Sequence, residues 1–167
     1  MAYNAAVITI SDKGSRGERV DTAGPACCGI LKDHGWEIEY TAIIPDDFGT
    51  ICSELKKCAD ELGVTLVITT GGTGFSKRDV TPEATLRVCE REIRGIPEAM
   101  RAESNKITPR GMLSRAAAGL RKDTMIVNVP GSEKAARENL EAVIDPIRHG
   151  ADMLAGGGHD HAHEHEK

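Results

Sequence analysis

Only five of the 167 residues are aromatic (Tyr3, Trp36, Tyr40, Phe48, Phe75), and they are scattered along the chain. A platform for stacking bases is thereby excluded. Cationic surplus is missing as well: the formal net charge is −5, which removes any general attraction to nucleic acid or anionic membrane. The N-terminal run MAYNAAVITIS has neither a basic start nor a long apolar stretch, so no signal peptide or membrane-spanning helix is expected. The five cysteines, Cys27, Cys28, Cys52, Cys58 and Cys89, contain no C-x-x-C pair, are odd in number and include two neighbours. A disulfide framework is not expected, and reduced thiols in a cytoplasmic protein fit better. Three catalytic or cofactor signatures are absent. Gly72 and Gly74 lead to Lys77 where a dinucleotide fingerprint needs its third glycine, no run has P-loop spacing, and no G-x-S-x-G occurs.

What remains is an ordinary globular balance, 40% hydrophobic and 28% charged. Residues 1–155 read as one domain and 156–167 as a His-rich flexible tail. Apolar runs at 5–11, 64–70 and 124–129, and a partly alternating stretch at 37–44, predict strands. Pro25 sits where a first-turn helix proline belongs, and Gly35 ends that helix. Phe48, Ile51, Leu55, Cys58 and Leu62 recur at helical spacing up to Gly63. Further helices are predicted at 82–92, 97–105 and 109–118, and a long one from Ala136 to Leu154 with a kink near Pro146. Apolar strands alternating with helices predict an α/β three-layer sandwich, a mainly parallel sheet flanked by helices.

Ligands in such sheets bind beyond the carboxyl ends of the strands. Four loops fall there: Ser11-Asp12, Pro45-Asp46-Asp47, Gly71 to Asp79, and Pro130-Gly131. Three of the four carry aspartate. A buried strand that runs into three glycines in four positions, followed by a helix start, suits an anion held on backbone N–H groups. Asp46 and Asp79 on the same rim suit Mg²⁺, which commonly takes one or two carboxylates plus phosphate oxygens.

The stretch TTGGTGFSKRDVTPEAT, with IIPDD before it and ITPRGMLSRAAAGLRKDTMIVNVPG after it, resembles the molybdopterin adenylyltransferases of molybdenum-cofactor synthesis, the MogA/MoaB type related to the gephyrin G domain. Four motifs occur in family order (S-D, P-D, G-G-T-G-x4-D-V-T-P, and L-S-R followed by P-G), and the resemblance spans about residues 5–154. It implies AMP transfer from Mg-ATP to the terminal phosphate of molybdopterin, in a homotrimer that could hand its product to a molybdenum-insertion enzyme. It further implies that Asp46 and Asp79 are catalytic and hold Mg²⁺. Gly71, Gly72, Thr73, Gly74, Asp12, Pro130 and Gly131 would contact nucleotide or phosphate, and Ser11, Ser114 and Arg115 would face the pterin substrate. Asp21 falls in the same pattern and competes as a helix cap. Lys77 and Arg78 read as rim charges.

The tail GGGHDHAHEHEK departs from that family's core. His159, His161, His163 and His165 alternate, and an extended chain could offer them together to Zn²⁺, Ni²⁺ or Cu²⁺. Two other functions therefore stand beside the enzyme: a noncatalytic pterin-binding module on the same fold, and a metal-handling protein acting through its tail.

Overall fold

The structure, a computed structural model, describes residues 2–157. Six strands form one sheet in the order β2-β1-β3-β6-β5-β4. They are β1 (Tyr3–Ile10), β2 (Trp36–Ile44), β3 (Leu66–Thr70), β4 (Arg91–Glu92), β5 (Ala118–Arg121) and β6 (Thr124–Val129). The strands β2, β1, β3 and β6 pair in parallel, while β5 and β4 extend the sheet antiparallel from β6.

Side chains on a strand alternate between faces, and both faces here are apolar, so each feeds its own core. Ala5 and Val7 of β1, Leu66 and Ile68 of β3, and Met125, Val127 and Val129 of β6 face one helical layer. That layer is α2 (Ala23–Asp33), α5 (Gly95–Ile107) and α6 (Glu133–Asp152). Ala6, Ile8 and Ile10, Val67 and Ile126 face the other, built from α3 (Phe48–Lys56) and α4 (Thr81–Val88). The result is the three-layer sandwich. A short α1 (Asp12–Ser15) follows β1. Among the described residues no helix is long and apolar enough to cross a membrane.

Two element boundaries correct the sequence reading. Residues 109–118 do not form a helix: Pro109–Leu113 make a 3-10 turn, and the chain then runs extended into β5. Alanines favour helix, but here the neighbouring strand claims their backbone groups. Asn128 N donates to Ala117 O at 3.0 Å, and Ala117 N donates to Asn128 Oδ1 at 3.1 Å. Tertiary pairing overrides propensity. The helix expected at 82–92 ends at Val88, and Arg91–Glu92 pair with β5 instead. α6 contains Pro146 and continues past it to Asp152.

Candidate functional site

The strand order decides what the loops can do. From β1 the chain crosses by α2 to β2 on one side, then by α3 over the opposite face to β3 on the other. β1 and β3 therefore flank a topological switch point, where open α/β sheets leave a crevice. Because β2, β1, β3 and β6 are neighbours, the loops after them lie side by side. They enclose a cleft of about 360 Å³ lined by residues that include Ser11, Asp46, Gly71, Gly72, Asp79 and Gly131.

Asp12 and Asp46 lock each other. Asp12 N donates to Asp46 Oδ2 at 2.9 Å, and Asp46 N donates to Asp12 Oδ1 at 3.0 Å. Each carboxylate is fixed by the other's backbone, so the ends of β1 and β2 are held in register. Burial pushes the Asp46 carboxyl up from its ordinary value, and the charges of Asp12 and Asp79 push it further. The Asp12 carboxyl is held below the ordinary range, chiefly by Arg78, whose Nε and Nη2 each donate to it at 3.0 Å.

The glycines are required by space as well as by backbone angle. Gly71 has φ +106° and a Cβ there would come within 2.2 Å of Ile10 O. Gly72 has φ +70°, and a Cβ would lie 2.2 Å from Thr81 Oγ1 and 3.1 Å from Asp46 Oδ1. The turn thus presses backbone against the acids, as the approach of a charged ligand demands. Asp79 N donates to Ser76 O, and Asp79 Oδ2 accepts from Ser76 N at 3.0 Å; the acid closes its own loop and does not cap α4.

Thr73 is buried and its carbonyl accepts from Arg115 N. The Arg115 guanidinium donates to Gly74 O at 2.8 Å, to Asp79 O at 2.7 Å and to Glu83 Oε1. Arg115 therefore clamps the glycine loop from beneath. Ser114 O accepts from Arg101, and Ser11 Oγ accepts from Gly14 N at 3.0 Å to start α1. Pro130 O accepts from Thr70 Oγ1 at 2.7 Å, and Gly131 packs against Gly71 before Ser132 caps α6. Asp21 accepts from Thr9 Oγ1 at 2.6 Å and from Gly24 N at 3.0 Å, bracing the start of α2. Asp47 caps α3 through Thr50. Lys77 is exposed on the rim. His159, His161, His163 and His165 lie outside the described residues.

Two groups escape inspection of the sequence. Thr81 Oγ1 is buried and, among the described residues, has no hydrogen-bond partner; it lies against Gly72, where a Cβ would come within 2.2 Å of it. A buried hydroxyl without a partner costs about 1–3 kcal/mol, so its retention points to a ligand that completes it. The D-V-T-P motif contains this threonine, which is the one signal that could have found it. Buried Asn128 donates from Nδ2 to Thr69 Oγ1 at 2.9 Å and to Thr85 Oγ1 at 2.8 Å, tying β6 to β3 and α4 behind the glycine turn.

Among the described residues no three His, Cys, Asp or Glu side chains converge into a metal cage. Asp46 and Asp79 instead line the same cleft, with the charge of Asp79 felt at Asp46, and make a pair of hard carboxylates. Such a set fits Mg²⁺, which takes few protein ligands and completes its shell with phosphate oxygens and water. The cysteines are set apart from this chemistry: Cys27 and Cys58 are buried thiols pushed up to about 12 by desolvation. A larger cavity of about 590 Å³ lies beyond Thr9 and Asp21, between α2 and β2, with Val7, Pro25 and Ile43 in its walls. It lacks the glycine turn and the paired acids.

The fold and this rim define an α/β protein with a glycine turn set beside paired carboxylates at the sheet's switch point. Comparison with known proteins specifies the class: the family described as a probable molybdopterin binding domain matches residues 6–149, and the chain belongs to it. It is 40% identical over 153 residues to the molybdopterin adenylyltransferase of Helicobacter pylori J99, covering 90% of this chain and 86% of that one. The molybdopterin adenylyltransferase of Escherichia coli K12 is 42% identical over 142 residues, 83% of this chain and 72% of that one. Among solved structures, the molybdopterin biosynthesis enzyme MoaB of Thermus thermophilus superimposes with a TM-score of 0.88 at 42% identity, covering 92% and 97% of the two chains.

Proposed function

We propose that this chain is a molybdopterin adenylyltransferase: it transfers AMP from ATP to the terminal phosphate of molybdopterin and releases pyrophosphate. The observation that carries the reading is the reciprocal Asp12–Asp46 lock set against a glycine turn with no room for side chains. Relatives of 40–42% identity that bear this name support it. In the transfer, an oxygen of the pterin phosphate attacks the α-phosphorus of ATP and the bond to the β-phosphate oxygen breaks. The nucleophile is already ionised, so no Ser-His or Cys-His pair is needed. Such transfers depend on positioning and on charge neutralisation.

The backbone N–H groups of Gly71, Gly72, Thr73 and Gly74 cradle the polyphosphate, with Pro130 and Gly131 closing the far wall. Asp46 and Asp79 would hold Mg²⁺, and Thr81 Oγ1 would donate its unmatched proton to a ligand oxygen. When bound, Mg²⁺ supplies neutralisation of the charge spread over the phosphates. Ser11 and Ser114 lie on the pterin side. Arg115 acts there by positioning, through its hold on the loop carbonyls. The reading includes a cytoplasmic homotrimer and delivery of the product to a molybdenum-insertion enzyme.

The test is incubation with molybdopterin, Mg²⁺ and ATP labelled at the α-phosphate. Label should appear in molybdopterin, with one pyrophosphate released per transfer. Pterin binding without pyrophosphate release would replace the enzyme by a noncatalytic binding module.

A further inference from the structure

The wall of the cleft contains one lysine or arginine among the described residues. It is Arg19, which lines the same space as Asp46, Gly71, Gly72, Asp79 and Ser132. Among the described residues its guanidinium makes no hydrogen bond or ion pair. The acids near it in sequence are engaged elsewhere. Arg16 Nε and Nη2 each donate to Glu18 at 3.0 Å, and Asp21 accepts from Thr9 Oγ1 at 2.6 Å and from Gly24 N at 3.0 Å. The chain is also pinned on both sides of Arg19. Gly17 turns at φ +72° and Glu18 N donates to Lys13 O at 2.9 Å, while Asp21 braces the start of α2. Arg19 thus rides on a short anchored bridge between α1 and α2.

An exposed arginine is ordinarily a solvated surface charge. This one shares its cleft with the glycine turn and with the starts of two helices, α2 at Thr22 and Ala23 and α6 at Ser132. Helix starts favour negative charge, and a guanidinium fork matches two phosphate oxygens at once. Joining a polyphosphate to a phosphate monoester brings two anions together. Backbone N–H groups meet them with partial charge only, and the lining carboxylates have the wrong sign. Arg19 is the full positive side-chain charge that the described lining offers. We propose that Arg19 is a substrate-binding residue of the transfer, its guanidinium gripping phosphate oxygens in the cleft. Two sources carry that chemistry, the polyphosphate of ATP and the terminal phosphate of molybdopterin. The inference rests on the adenylyltransferase reading for the identity of the phosphates, and adds to it a residue outside the glycine turn and the acid pair.

The test is calorimetry on the full-length protein and three variants, with inorganic pyrophosphate plus Mg²⁺ as one probe and molybdopterin as the other. Arg19→Ala should bind at least one probe about tenfold more weakly, the loss expected for a charge-assisted hydrogen bond, at an unchanged melting temperature. Arg19→Lys, which keeps the charge without the fork, should recover part of that loss. Arg94→Ala removes an exposed cation paired with Glu92, outside the cleft lining, and should change neither affinity. Weaker pyrophosphate alone assigns Arg19 to the polyphosphate, weaker molybdopterin alone to the terminal phosphate, and both together to a guanidinium shared between them. Unchanged affinity for both probes in Arg19→Ala would overturn the proposal, as would an equal loss in Arg94→Ala. Should wild-type protein bind pyrophosphate through Arg19 and yet transfer no AMP, the adenylyltransferase reading falls while the phosphate site stands.

Discussion

Asp46 carries its charge where water is scarce. Burial raises its carboxyl, with Asp12 and Asp79 adding to the effect, so the ionised form is disfavoured in the folded state. The sign follows from proton linkage. The folded protein holds this proton more tightly than the unfolded chain, so stability falls as pH rises from about the ordinary value of 3.8 through the raised one, and stays lower above it. Asp46→Asn should therefore be at least as stable as wild type at pH 7, with the difference vanishing in acid, as measured by thermal melting. In the proposed reaction the same substitution removes charge stabilisation by the metal, commonly several kcal/mol, so transfer should slow by about 100-fold or more. Asp79→Asn should slow it similarly, and the double variant should be little worse than either, because groups acting on one metal behave as a unit. Near wild-type single-turnover transfer by either variant would remove that residue from the mechanism. Both acids were visible in the sequence because each follows a readable strand or glycine turn. Arg78 read only as rim charge, since its partner Asp12 is 66 residues away and only the fold selects it.

At the scale of elements, one clamp joins three pieces far from the rim. Asp60, in the π-helical turn Lys57–Glu61 that ends α3, accepts from Arg121 Nε at 3.0 Å and Nη2 at 2.6 Å, and pairs with Lys122 Nζ at 3.0 Å. Arg121 Nη1 meanwhile donates to Val88 O at the end of α4. Arg121 first, and then Lys122, pull the Asp60 carboxyl down to about 2. A lowered value stabilises the fold above the ordinary 3.8, and that contribution is lost as pH falls toward about 2. Asp60→Asn should accordingly melt lower than wild type at pH 7, and the two curves should converge near pH 2. AMP transfer at pH 7 should be unchanged, because the clamp sits at the start of β6, opposite the site; a persistent melting difference at pH 2 would assign the effect to packing. The elements themselves were mostly legible, since two-sided apolar strands and amphipathic helices repeat at their own periods. β5 was not. Its Ala-Ala-Ala-Gly start reads as helix, and it is a strand because β6 and the Asn128 side chain take up its amides.

Across the whole molecule, reactivity and closure of the core lie at opposite ends of the same helix. α6 is capped by Ser132, in the lining of the cleft, and ends at Asp152, whose Oδ1 accepts from Tyr3 Oη at 2.7 Å at the start of β1. At 1.5 Å per residue a helix of this length spans about 30 Å, so its last turn lies at the pole remote from the cleft. The core contacts of α6 finish at buried Ala151, with Leu154 partly packed behind it. Gly156, at φ +90°, turns the chain out of helical geometry. Deleting residues 158–167 should thus leave both the melting temperature and the rate of AMP transfer unchanged. Zn²⁺ or Ni²⁺ binding is a separate matter. It should be present in the full chain and lost on deletion, since His159, His161, His163 and His165 alternate as a chelating strip would require. Calorimetry with each metal and single-turnover transfer, run on both proteins, decide the point. Transfer abolished by the deletion at an unchanged melting temperature would mean that the segment returns to the cleft and takes part in the reaction.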